Sequence, residues 1–289
     1  VTHFNKEKVL KIRMDKLQPQ IKTPEKETAP VTESKVKSTK FPTEIVELPS
    51  KGLLYPADHP LSSGQVEIKY MTAKEEDILS TQSYIKRGVV LDKLCEAVIM
   101  SKGVKFDDLL IGDKNAILFA ARAYGYGPEY ETKVNLGDGN TLPITIDLLN
   151  LEYNYLDDSL VTPHENRFQF TLPKSGQVIE FKLLTVSDQK IIDQALKNYK
   201  KVGGVMSSQA LTTRFRYMVL SVDGDESKSV INPFVENMLA ADSRAFREYI
   251  AKITPDVKLE IEGEDPDTGE PFRSNFEIGV DLFYPDYKG

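Results

Sequence analysis

The sequence predicts an α+β fold of two similar lobes, each with small antiparallel sheets or hairpins and about three helices, behind an extended N-terminal arm. One observation is a recurring segment: Ser63-Gly64-Gln65-Val66-Glu67-Ile68-Lys69-Tyr70-Met71-Thr72-Ala73 returns as Ser175-Gly176-Gln177-Val178-Ile179-Glu180-Phe181-Lys182-Leu183-Leu184-Thr185-Val186. Each copy orders a turn, a strand and the start of a helix. A second is that Glu131 to Leu148 and Lys258 to Leu282 both read as strand, Gly/Asp-rich turn, strand, ending in Ile146-Asp147-Leu148 and Val280-Asp281-Leu282. The third is a change of composition near residue 40. The expected division is an arm over 1–40, a first lobe over 41–155 and a second over 156–289, by duplication or as two unrelated α+β lobes.

The arm carries ten Lys or Arg against five Asp or Glu, a net of about +5, so in a chain of net charge −7 the remainder holds about −12. From Gln18 to Thr39 it has prolines, no glycine, no aromatic residue and few large apolar side chains, too little apolar surface to offset the entropy of ordering. Near its tip, Leu10, Ile12 and Met14 share one side of a strand, or Leu10, Met14 and Leu17 one face of a helix. Such a strip either docks on another subunit or belongs to a tail with incidental hydrophobes. Acidic interruptions and the lack of an aromatic ladder argue against nucleic-acid binding.

After the linker comes an apolar hook. Ile45 to Leu48 suits a short strand, Pro49 and Gly52 bend the chain, and Pro56 stops regular structure after Tyr55. Leu48, Leu53, Leu54 and Tyr55 therefore sit on a stiffened backbone, either as a preorganised anchor for a partner or as part of the lobe's own core. Gln65 to Met71 alternates into a strand, and Thr72-Ala73-Lys74-Glu75 is a capping box for a helix of about three turns reaching Tyr84 or Lys86. Helices are expected over Leu91 to Ser101 and Lys114 to Ala123, the latter closed by Gly125 or Gly127. Tyr130 to Leu136 and Leu142 to Leu148 form a hairpin around Gly137-Asp138-Gly139-Asn140.

The second lobe repeats this order. Phe168 to Leu172 and Val178 to Leu184 flank a turn at Pro173-Lys174-Ser175-Gly176, and helices follow over Val186 to Lys200 and Ser208 to Val222. Asn232-Pro233 opens a short helix, Ser243 to Ile253 is the last, and Val257 to Ile261 with Phe272 to Leu282 closes the chain as a hairpin.

Catalytic and metal-binding patterns are scarce. His3, His59 and His164 lie in polar or turn-like sequence without ligand spacing, and neither a nucleophile elbow nor a phosphate loop is present. Glu75-Glu76-Asp77 suits a helix N-terminus better than acid–base chemistry. Asp265-Pro266-Asp267-Thr268-Gly269-Glu270 lacks the later ligands of a calcium loop. The single cysteine, Cys95, lies in an apolar helical run and reads as a buried thiol. No apolar stretch approaches the roughly 18 residues a membrane span needs, and the N-terminus lacks the continuous apolar run of a signal peptide.

Several separated blocks resemble a known family: Glu47 to Pro56; Gly64 to Leu79; Gly112-Asp113-Lys114-Asn115-Ala116-Ile117-Leu118-Phe119-Ala120-Ala121-Arg122; Tyr124-Gly125-Tyr126-Gly127; and Asp147-Leu148. In this order they are similar to the baseplate hub proteins of T-even-like contractile-tailed phages, firmly over about Phe41 to Leu151 and loosely beyond. The resemblance implies a non-enzymatic structural subunit of the tail baseplate, and the residues themselves offer no catalytic, cofactor or metal set. It would sit in the virion after assembly in the host cytoplasm. Its partners would be other baseplate, hub and tail proteins in a hetero-oligomer, with no nucleic acid and no membrane span. An assembly chaperone absent from the particle is the alternative, and a tail-associated hydrolase the outside one. In some relatives the two hairpins are similar to zinc knuckles, with a Cys-x-x-Cys pair in the turn; the turns here have no cysteine, so each hairpin must be held by its own strands and by neighbours. The partner-binding candidates are Leu10, Ile12, Met14, Leu17, Leu48, Leu53, Leu54 and Tyr55.

Overall fold

The computed structural model describes residues 41–135, 141–201, 209–264, 268–269, 271–275 and 278–284. The architecture is α+β: among these residues eight helices pack with several small antiparallel sheets.

Strand β1 (Thr43–Glu47) pairs antiparallel with β2 (Gln65–Lys69), Val46 opposite Val66, and both valines are buried. The hook connects them. Helix α1 (Ala73–Ser80) starts at the expected capping box, with Thr72 N–H donating to Glu75 Oε2 at 3.0 Å. It does not run on to Tyr84. Thr81 Oγ1 donates to the carbonyl of Asp77 at 2.7 Å, and extended backbone at Thr81 separates α1 from α2 (Gln82–Arg87). Helix α3 (Val90–Val98) buries Val90, Leu94, Cys95 and Val98, positions that line one face. It ends earlier than Ser101 because Ile99 bridges to Ile68 and Met100 N–H bonds the Glu67 carbonyl at 2.8 Å, which extends the β2 ladder.

Helix α4 (Ile111–Tyr126) is longer at both ends than its sequence pattern suggests, and it is buried along most of its length. Gly125 lies inside it and Gly127 ends it. The hairpin β3 (Glu129–Asn135) and β4 (Thr141–Asp147) follows as expected, with its turn outside the described residues.

In the second half, β6 (Phe168–Thr171) and β7 (Val178–Phe181) form the expected hairpin, and α5 (Val186–Lys201) follows. Helix α6 (Ala210–Met218) stops short of Val222. Val219–Val222 is strand β8, which pairs with β7 and makes a three-stranded sheet of order β6-β7-β8. Helix α7 (Lys228–Asn237) contains Pro233 in its interior; Ser227, rather than Asn232, is its N-cap. Helix α8 (Ala240–Ile253) begins before Ser243. The closing segment also differs from expectation. β9 (Asp256–Val257) pairs with β5 (Tyr153–Asn154), β10 (Glu260–Glu264) pairs with β11 (Pro271–Asn275), and Val280–Leu282 is a 3-10 turn instead of strand.

One continuous buried apolar cluster runs from Val46 to Phe283 and takes residues from both 41–155 and 156–289. Its aromatic part stacks Phe170 on Tyr249 at 4.6 Å and sets Phe181 edge-on to Phe246 at 4.9 Å. The two stretches meet closely. A Cβ built on Gly112 would lie 2.0 Å from the carbonyl oxygen of Pro255, so only glycine lets α4 approach this segment. Arg122 Nε also donates to the Leu282 carbonyl at 2.7 Å.

The recurring segment has a matching local structure in its two copies. Lys69 Nζ binds Glu75 Oε1 at 2.7 Å beside the Thr72 cap, and Lys182 Nζ binds Asp188 Oδ1 at 2.7 Å beside Thr185, whose N–H donates to Asp188 at 3.1 Å. Burial pushes the Glu75 carboxyl up, but the Lys69 ammonium and Thr72 outweigh it and hold Glu75 below the usual range.

Candidate functional site

The hook is tied by its own backbone and by distant residues. Lys51 N–H bonds the Leu48 carbonyl at 2.9 Å and Leu53 N–H that of Ser50 at 3.1 Å, so the chain turns twice between Leu48 and Leu53. Gly52 has φ 75°, and a Cβ there would strike the backbone of Gly64 and Ser62 at 2.5 Å. His59 then accepts from Leu61 N–H at the start of a 3-10 turn, Pro60–Ser63.

Beneath the hook lies Asp113, in the first turn of α4 and 0% exposed. It accepts from Ser50 N–H at 3.0 Å, from Ser50 Oγ at 2.7 Å and from the Tyr55 hydroxyl at 2.6 Å. The Tyr55 oxygen accepts in turn from Leu110 N–H at 2.9 Å, satisfying an amide at the helix entry. Burial pushes the Asp113 carboxyl up to about 6, against the pull of Ser50 and Tyr55. Burial and the neighbouring Asp113 charge raise the Tyr55 phenol well above its ordinary value. Tyr55 stacks on His59 with ring centroids 5.3 Å apart, and His59 Nε2 lies 3.3 Å from Asp108 Oδ2. From the other side, His164 N–H bonds the Leu53 carbonyl at 2.6 Å and Leu156 N–H that of Pro49 at 3.2 Å.

This is a polar fastening within a core. Tyr55 is 4% exposed, so neither it nor Asp113 offers a reacting atom to a substrate. Among the described residues no group of three or more His, Cys, Asp or Glu could hold a metal ion. Cys95 is buried in α3, where burial pushes its thiol well up.

Of the candidate partner contacts, Leu10, Ile12, Met14 and Leu17 lie outside the described residues. Leu48, Leu54 and Tyr55 are buried members of the apolar cluster, and Leu53 is half-buried against it. The side chains singled out in the hook thus face the interior. No local sequence pattern points to the pairing of Ser50 with Asp113, because it joins residues far apart in the chain.

A second fastening of the same kind holds the β6–β7 turn. Leu172-Pro173-Lys174-Ser175-Gly176 repeats the pattern of Leu48-Pro49-Ser50-Lys51-Gly52. Asp242, in the first turn of α8 and also buried, accepts from Lys174 N–H at 2.7 Å and Ser175 N–H at 3.0 Å. The N-cap residue is leucine in both helices, Leu110 with φ −65°, ψ 150° and Leu239 with φ −59°, ψ 140°. The likeness of the two Leu-Pro-x-x-Gly turns is the sequence signal for Asp113 and Asp242, and it is hidden by the hook inserted after the first turn.

A family model described as T4 bacteriophage base plate protein matches residues 41–278. No curated protein and no solved structure matches the chain.

Proposed function

The chain belongs to the T4 bacteriophage base plate protein family, and on that footing we propose that it is a structural subunit of the central hub of a phage tail baseplate, acting through protein–protein contacts during tail assembly. The carrying observation is the family match, which spans nearly all of the described fold, with both aspartate fastenings inside it. The placement of Asp113, Tyr55 and Cys95 inside the core supports a non-enzymatic role, since these groups serve packing and hydrogen bonding. No helix among the described residues is long and apolar enough to cross a membrane.

The proposed contacts with neighbouring subunits include the arm, through Leu10, Ile12, Met14 and Leu17. Its net charge of about +5 suits an acidic neighbouring surface. The test is a phage whose copy of this chain lacks residues 1–40. The truncated protein should melt as the full chain does and enter purified tails at least tenfold less often. Incorporation at the full-length level would remove the arm from the interface.

A further inference from the structure

We propose that the open groove beside the second fastening is a docking site for a tyrosine-bearing loop of a neighbouring subunit, which binds there as the chain's own hook binds beside the first. The proposal rests on the baseplate reading and adds a surface and a partner chemistry to it.

In the first half the remainder of the hook, from Leu53 on, lies between the Leu-Pro-x-x-Gly turn and β2, and in that turn Pro49, Ser50 and Gly52 are buried. In the second half the chain passes from Gly176 directly to Gln177 and β7, and Pro173, Lys174 and Gly176 are exposed. Beside this turn there is a groove of about 340 Å3, lined by Ser175, Pro233, Phe234, Met238, Leu239 and Asp242. These last three stand to α8 as Leu109, Leu110 and Asp113 stand to α4, where Leu109 and Leu110 are buried, Tyr55 binding the Leu110 amide and Thr185 and Val186 pairing alongside. Leu239, by contrast, is 54% exposed.

The first half therefore specifies the occupant's chemistry. A phenol entering the groove can donate to the Asp242 carboxylate and accept from the Leu239 amide, while its ring covers Phe234, Met238 and Leu239. The space is ample, since a cavity of about 150 Å3 already admits benzene. The chain's own arm cannot supply this group, because residues 1–40 contain no tyrosine. The chain's own Tyr55 is already engaged with Asp113. The occupant proposed is a loop of another protein in which tyrosine follows leucine, as Tyr55 follows Leu54 in the hook.

The probe is the hexapeptide Gly-Leu-Leu-Tyr-Pro-Ala, capped at both ends and titrated into the methyl-labelled full chain by NMR. Saturable shifts at Met238 and Leu239 are expected. The Phe version should bind about ten- to a hundredfold more weakly, the loss of one hydrogen bond to a charged acceptor. Leu239→Asp should weaken the Tyr peptide at least tenfold and leave the melting temperature near the parent's, since aspartate is a favoured N-cap. Asn237→Arg, on the exposed rim, is a second variant with the same expected loss of binding. The inference is overturned by the absence of saturable shifts, by equal binding of both peptides, or by unchanged affinity in both variants. A phage carrying Leu239→Asp should yield at least tenfold fewer tails. Parental yield would overturn the groove while leaving the baseplate reading standing, whereas absence of the chain from purified parental tails would overturn the baseplate reading itself.

Discussion

Tyr55 and Asp113 meet at 2.6 Å in the core, one at the bend of the hook and the other in the first turn of α4. With Ser50 and Leu110 they turn an apolar loop into a fixed part of the fold. A buried carboxylate costs several kcal/mol if left short of donors, so each donor here matters more than a surface hydrogen bond would.

Tyr55→Phe keeps the ring and removes the hydroxyl, leaving the Leu110 amide and Asp113 each without one partner. The expected cost is about 1–3 kcal/mol, a fall of several degrees in melting temperature by calorimetry. An unchanged melting temperature would mean that the hook is not part of the fold.

The pH dependence follows from the sign of the Asp113 shift. Its folded value of about 6 lies above the unfolded value of ~3.9, so between these the folded state binds the extra proton and stability from this group rises as pH falls. Glu75, held below the usual range, acts oppositely, and its contribution is lost as pH falls through its folded value. Urea midpoints for the parent and Asp113→Asn isolate the first effect: the parent should gain on the variant between pH 7 and pH 4.5. A constant difference would refute the assignment.

Gly112 and Gly125 should respond differently to alanine. At Gly112 the new Cβ meets the Pro255 carbonyl at 2.0 Å and Asp256 Cα at 2.9 Å, backbone that cannot step aside. At Gly125 it meets the methyl end of Met71 at 2.3 Å, a flexible side chain. Gly112→Ala should cost more than ~2 kcal/mol, whereas Gly125→Ala should stay within about 1 kcal/mol. Equal effects would show that the contact between α4 and β9 is not tight.

Metal removal should have no effect. With no cysteine in either hairpin turn, treatment with a chelator should leave the melting temperature unchanged, and elemental analysis should find no stoichiometric zinc. A stoichiometric metal would overturn this reading of the hairpins.

Local features were the legible ones. The Thr72–Glu75 capping box, the Pro173–Gly176 turn and the apolar face of α3 depend on neighbours a few residues away, and their patterns survive in the fold. Features decided by distant partners were not. Val219-Leu220-Ser221-Val222 continues an apolar helical pattern, yet the exposed edge of β7 captures it as strand. The Ile99 bridge cuts α3 short for the same reason. Asp113 looks like an ordinary first-turn acid, and only the tertiary fold brings Ser50 and Tyr55 to it. The hook's composition marks it as apolar without saying what covers it, so anchor and core are not separable in the sequence.

The central claim, that the chain is a structural component of the phage tail baseplate, is tested most directly by quantitative mass spectrometry of purified, assembled tails. The account predicts peptides from across residues 41–278 at a fixed ratio to other baseplate proteins, unchanged by a salt wash. A chain required for assembly yet absent from the finished tail would contradict it and identify an assembly chaperone instead.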